Sequence, residues 1–226
     1  MKSFKSIITS IIVILVLYIS STNKSHAQYG KWHRDTTFHG IEFKKIRFRE
    51  GKESLYAQGI LKQKTIIDGY PCHKKITLTK SGHAKFFILA EDFEVEGNKF
   101  LKETQVIIRE NNDYRIHCLY KPEVQGYIIK KENYKRPLFM GSTNFQLYPD
   151  GKLKYFNPAE VVMIQDVWCK PSATRGGVHL YHNGDLQECT SSRKQTIQGV
   201  EVEENFCLRF DENGKLIFAE KEKFFK

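Results

Sequence analysis

The chain has 226 residues, of which 40% are apolar and 27% charged, and its 36 Lys and Arg against 26 Asp and Glu give a formal charge of +10. This apolar share, with 13% aromatics and only six prolines, excludes a collagen-like, low-complexity or intrinsically disordered chain. Long helical periodicity is absent, and the length suits one domain or one repeat array.

Residues 1–27 read as a signal peptide. Lys2 and Lys5 form a basic start, residues 7–19 form an apolar run, and Ser25-His26-Ala27 places small residues before a cut ahead of Gln28. The run is shorter than the roughly twenty residues of a membrane-spanning helix. Export to the periplasm or beyond is the expectation. Removing Lys2, Lys5 and Lys24 leaves about +7 on residues 28–226. Such a balance favours anionic surfaces. For an exported protein these are lipid headgroups, polysaccharide or cell wall, and not nucleic acid.

Residues 28–226 carry one repeated pattern. Turn residues stand at Gly51, Gly82, Asn112, Gly151, Gly184 and Gly214, and a second marker follows about fifteen residues after each of the first five, at Gly69, Gly97, Gly126, Asp166 and Gly199. Gly40 is the same marker ahead of the first turn. A period near thirty signals an array. Asn-Gly at 183–184 and 213–214, between alternating apolar residues, is a hairpin signal because a tight hairpin turn needs positive φ.

The apolar columns agree with the turns. Six before the turn stand Ile76, Val106, Phe145, Val178 and Leu208; four before stand Leu78, Ile108, Leu147, Leu180 and Phe210; two after stand Ala84, Tyr114, Leu153, Leu186 and Leu216. Period two describes strands with one buried face. Two further columns flank the second marker: Phe38, Ile67, Val95, Val124, Ile164 and Ile197 two before, and Phe43, Cys72, Phe100, Ile129, Cys169 and Val202 three after. One hairpin cannot bury its own apolar face, whereas neighbouring hairpins can cover one another. The expected fold is all-β: an antiparallel array of about five to six hairpins, forming an extended curled sheet or a flattened solenoid. The charged tail 219–226 is placed to cap a sheet edge.

The units Tyr148-Pro-Asp-Gly-Lys-Leu153, Tyr181-His-Asn-Gly-Asp-Leu186 and Asp211-Glu-Asn-Gly-Lys-Leu216, with the intervening Ile197-Gln198-Gly199, resemble MORN-type hairpin repeats. The likeness is nearest to the variant of secreted bacterial proteins and YwqK-like proteins. It is strongest over 145–216. The chain lacks the Tyr-x-Gly-x-Trp core of standard units. The resemblance implies a non-catalytic β scaffold for contacts, without a cofactor.

Candidate chemistry is sparse. No Gly-x-Ser-x-Gly elbow, P-loop or His-Glu-x-x-His motif occurs, which points away from an enzyme. Cys72 and Cys169 share a column with bulky apolar residues; Cys189 stands five after its turn, like Phe87 and Phe156, and Cys118 is within one place of that column. Packed thiols are expected. Should a disulfide form in the oxidising compartment, Cys169 with Cys189 is the expected pair. His179 and His182 have helix-type spacing on a strand and its turn, so solvated histidines are expected and no metal.

The insertion 130–141, KKENYKRPLFMG, sets Lys130, Lys131, Lys135 and Arg136 beside Tyr134 and Phe139, a composition suited to partner or membrane-surface contact. An exported scaffold for protein or cell-envelope contacts is the leading functional expectation. A lipid or glycolipid carrier, holding acyl chains on the apolar inner face of the array, is the second.

Overall fold

The computed structural model describes residues 30–49, 56–130, 145–171 and 177–221. Residues 1–27, Gly51 and most of the 130–141 insertion lie outside them. The described residues form only strands and turns. In chain order these begin with β1 (His33–Phe38), β2 (Ile41–Arg49), β3 (Tyr56–Leu61), β4 (Thr65–Ile67), β5 (Tyr70–Leu78) and β6 (Ala84–Leu89). Short ribbons then alternate with longer hairpins: ribbon β7 (Phe93–Val95) with β8 (Asn98–Phe100), and hairpin β9 (Gln105–Ile108) with β10 (Tyr114–His117). Ribbon β11 (Glu123–Val124) with β12 (Tyr127–Ile128) precedes hairpin β13 (Phe145–Leu147) with β14 (Leu153–Phe156). Ribbon β15 (Val162–Ile164) with β16 (Val167–Cys169) precedes hairpin β17 (Val178–Leu180) with β18 (Leu186–Thr190). Ribbon β19 (Gln195–Ile197) with β20 (Val200–Val202) precedes hairpin β21 (Phe206–Phe210) with β22 (Leu216–Lys221).

The hairpins join edge to edge in one 14-stranded antiparallel sheet, curled but open, running from β1 to β22, with β4 paired to β5 off this path. The four ribbons are separate two-stranded sheets. The hairpins therefore do not stack on one another. They continue one sheet, and the ribbons supply the apolar side chains packed against its inner face.

Each turn type follows from backbone sign. At the ribbon markers two successive residues have positive φ, as at Gln125-Gly126 (52° and 83°) and Gln198-Gly199 (51° and 82°). That is the signature of the two-residue hairpin whose twist suits flanking strands. Asp166, with φ of 64°, holds the position without a glycine. Gly82, Gly151, Gly184 and Gly214 also have positive φ at the long hairpins. At Gly151 a side chain is excluded by space as well, because a Cβ there would lie 2.0 Å from the Glu96 carbonyl oxygen.

One irregularity recurs three residues after the turn. Leu147 pairs with Leu153 but Gln146 with Tyr155, so Lys154 is an extra residue; the same shift makes Lys85, Gln187 and Ile217 extra in their hairpins. Such a bulge changes the strand's side-chain parity. It is why Ala84 and Phe87, or Leu186 and Cys189, three apart, all face the core. The Asn112 hairpin has no bulge, and there Tyr114, Ile116 and Cys118 keep strict alternation.

A bulge also displaces a backbone N–H from its ladder partner, and that donor needs an acceptor. The ribbon turns provide it. Gln125, Gln165 and Gln198 each accept through Oε1 from the N–H of Leu153, Leu186 and Leu216, at 3.1, 3.0 and 3.0 Å. The Asp68 carboxylate accepts likewise from Ala84 (2.7 Å). At the unbulged hairpin Glu96 accepts instead from the Tyr114 hydroxyl (2.9 Å). Each ribbon is thus fastened to the hairpin that follows it.

The core lies between sheet and ribbons. The columns six before the turn and three after the second marker are buried throughout the described residues, from Phe43 and Ile76 to Val202 and Leu208. Phe38, Ile108 and Leu216 are only half-buried. Phe38 and Leu216 belong to the edge strands, where no further hairpin covers them.

Gln165→Ala should leave the buried Leu186 N–H without an acceptor and lower the unfolding free energy by about 1–3 kcal/mol. Gln187→Ala, on the bulge and facing outward, should change it by less than about 0.5 kcal/mol. Urea unfolding of the two variants measures the difference.

Candidate functional site

The ribbons cover one face of the large sheet. On the other face one residue per strand forms a continuous cross-strand row: Arg47, Gln58, Thr77, Phe86, Ile107, Arg115, Gln146, Tyr155, His179, Glu188, Arg209 and Phe218, each pairing in register with the next. All but Arg209 are half-buried.

The two ends of this face differ electrically. Toward the C-terminus its cations meet carboxylates: Arg209 Nε donates to Glu188 (2.7 Å), and Lys154 donates to the buried Asp113 carboxylate (2.5 Å). Toward the N-terminus lies a cavity of about 710 Å³, lined among others by Arg49, Lys75, Lys85 and Arg109 with the single carboxylate Glu110. Lys85 and Arg109 have no ion-pair partner among the described residues. Phe86, Ile107, Thr77 and Gln58, consecutive members of the row, form the cavity floor. In the row, Arg47 and Arg115 flank this floor, next to Gln58 and Ile107. Arg47 donates to Gln58 (2.9 Å) and its guanidinium lies 4.7 Å from the Trp32 ring centroid. Arg115 is held below the ordinary guanidinium value by burial and then by the Arg109 charge, and its Nε is buried without a hydrogen-bond partner.

Lys85 reaches this cavity only because of the bulge. Strict alternation would put Lys85 and Phe86 on opposite faces, whereas both line the cavity. The space between sheet and ribbons, in contrast, is filled by side chains such as Phe87, Phe100, Phe145 and Phe156. An acyl chain would have no room there without expelling them.

The other sequence-predicted residues are dispersed. Lys130 is exposed at the end of β12, its N–H donating to the Asn157 carbonyl (2.8 Å). Lys131, Tyr134, Lys135, Arg136 and Phe139 lie outside the described residues. The five thiols are unbonded. Cys169 and Cys189 meet in the core, and their hydrogen bond together with burial pushes the Cys189 thiol up. Burial raises Cys72 to about 12. No group of three or more His, Cys, Asp or Glu that could hold a metal occurs among the described residues.

His182 is exposed in its turn and pairs with Asp150 (3.0 Å). His179 departs from the expectation of a solvated ring: it is half-buried in the row, its centroid 4.7 Å from that of Tyr155. Burial first, then the Lys154 and Arg209 charges, lower its pKa, against the opposing pull of Glu188.

No family model, curated protein or solved structure matches the chain.

The lowered His179 pKa has a definite sign. The unfolded chain protonates His near pH 6.5, whereas the folded chain resists protonation until lower pH. The stability contribution of the neutral ring is therefore complete above about pH 6.5 and is lost as pH falls through the depressed folded value. His179→Gln should flatten the loss of stability between about pH 7 and pH 5. Urea midpoints across that range measure it, and an unchanged slope counts against a desolvated His179.

Proposed function

We propose that the protein is an exported, non-catalytic β-repeat scaffold that meets anionic cell-envelope material through the open face of its large sheet. The observation that carries this reading is the unbalanced basic end of that face. Four cations, Arg49, Lys75, Lys85 and Arg109, and one carboxylate, Glu110, line a cavity over a neutral and apolar floor there. An excess of one sign of charge around a concavity concentrates ligands of the opposite sign. The export signal in residues 1–27 and the resemblance of 145–216 to secreted hairpin repeats support the location. The repeated hairpin frame, with no Gly-x-Ser-x-Gly, P-loop or His-Glu-x-x-His motif in the sequence, supports a binding role over chemistry.

The test is fractionation of the cells that export the protein. The chain should start at Gln28, sediment with the envelope at low salt and be released by about 0.5 M salt, because surface charge interactions are screened within a few ångströms there. Charge reversal of Lys85 and Arg109 should leave it in the soluble fraction. Recovery in the cytosol, or envelope association indifferent to salt, contradicts the proposal. Loss of binding after proteolysis of the envelope fraction makes the partner a protein.

A further inference from the structure

The basic cavity has a more specific shape than a charged surface. It is lined from β2, β3, β5, β6 and the β9 end, so it crosses five strands. At about 4.8 Å per strand interval that is a trough about 19 Å long. Its floor row, Gln58–Thr77–Phe86–Ile107, carries no charge. Arg47 and Arg115 stand at the two ends of the row. Along the side nearest the Gly82 turn, Arg49 pairs with Tyr56, and Arg109 stands at the end of β9. On the opposite side Lys45 pairs with Ile60, and Ile60 with Lys75. Cations thus surround a floor of polar hydrogen-bonding groups and ring faces.

That arrangement selects among anions. A bare phosphate would use one or two cations and leave the floor empty. An acyl chain needs an enclosed apolar slot, and Gln58 and Thr77 break the floor. A ligand that fits has a broad neutral body with hydroxyls for Gln58 and Thr77, a face to lie on Phe86 and Tyr56, and acidic groups along its rim.

We infer that the trough across β2–β9 binds a segment of acidic glycan, its sugar rings on Phe86 and Tyr56 and its carboxylate or sulfate groups on Arg49, Lys75, Lys85 and Arg109. This deepens the open-face reading above, and rests on it, by naming the chemical class of the envelope component. Arg115 stands beside Ile107, one strand beyond the floor row.

The experiment is calorimetric titration of residues 28–226 with a hexagalacturonate, a sulfated hexasaccharide, neutral maltohexaose and inorganic phosphate, beside sedimentation with phosphatidylglycerol vesicles. At least one acidic hexasaccharide should bind at 50 mM salt and weaken at 0.5 M, while maltohexaose and phosphate should not bind measurably. Lys85→Glu with Arg109→Glu should weaken binding at least tenfold with the urea midpoint unchanged, since both side chains lie outside the core. Phe86→Ala should weaken the acidic glycan without altering the salt dependence, a readout that simple charge attraction would not move. Equal binding of neutral and acidic glycans, no binding of either acidic probe, or full binding by the double variant overturns the inference. Vesicle binding without glycan binding overturns it too, and leaves the scaffold reading standing; envelope association lost while glycan binding persists sinks the scaffold reading alone.

Discussion

The fold depends on a hydrogen bond between a ribbon and the hairpin after it. In every described long hairpin but the Asn112 one, a bulge three residues past the turn leaves one N–H without its ladder partner, and a carboxamide or carboxylate in the preceding ribbon turn accepts it. The bond does two things at once. It satisfies a donor that would otherwise be costly to bury, and it fixes the ribbon over the sheet so that side chains such as Val124, Ile164, Cys169 and Val202 fill the inner face. Two hydroxyls tie successive hairpins as well: Tyr148 donates to the Leu180 carbonyl (3.0 Å) and Tyr181 to the Phe210 carbonyl (2.8 Å). Apolar burial supplies the driving force, and these polar ties set the register in which it is collected.

The same bulge shapes the outer face. It places two successive side chains there, Lys85 with Phe86 and Lys154 with Tyr155. A cation and a ring side by side on an open sheet suit a ligand that is both anionic and broad. Asp113 neutralises Lys154, whereas Lys85 has no ion-pair partner among the described residues. A local backbone defect is therefore common to the core and to the proposed binding surface. Stability of the sheet and shape of the trough are linked through a few residues after each turn.

Much of the architecture was legible in the chain. The glycine turns, the period and the five apolar columns translate directly into hairpins, ribbons and core, because period two and positive φ leave a strong mark on residue choice. Even the bulge was visible as an oddity: Phe87, Phe156 and Cys189 stand five after their turns, an odd offset from the inward residue two after. The Asp68, Glu96, Gln125, Gln165 and Gln198 column before each marker was there to be read, but a polar residue in a turn looks solvated until its acceptor role is seen. The ribbons as a separate layer were not foreseen, since apolar columns say which residues are buried and not what covers them. The basic trough was missed because its cations, Arg49, Lys75, Lys85 and Arg109, come from β2, β5, β6 and the end of β9, far apart in sequence. The sequence signal pointed instead to the local cluster at 130–141, where charge and aromatics are contiguous.

Which face of the sheet is covered can be measured with the protein's own thiols. Cys72, Cys118, Cys169 and Cys189 are buried on the inner side, and Thr77 occupies the open row. After reduction, native protein carrying Thr77→Cys is pulsed with iodoacetamide and the modified sites are mapped by mass. The thiol introduced at position 77 should react within the pulse, and the four core thiols only at the rate of global unfolding. Rapid modification of Cys72 or Cys169 in the native state, or protection at position 77, would mean that the ribbons do not cover the face assigned to them.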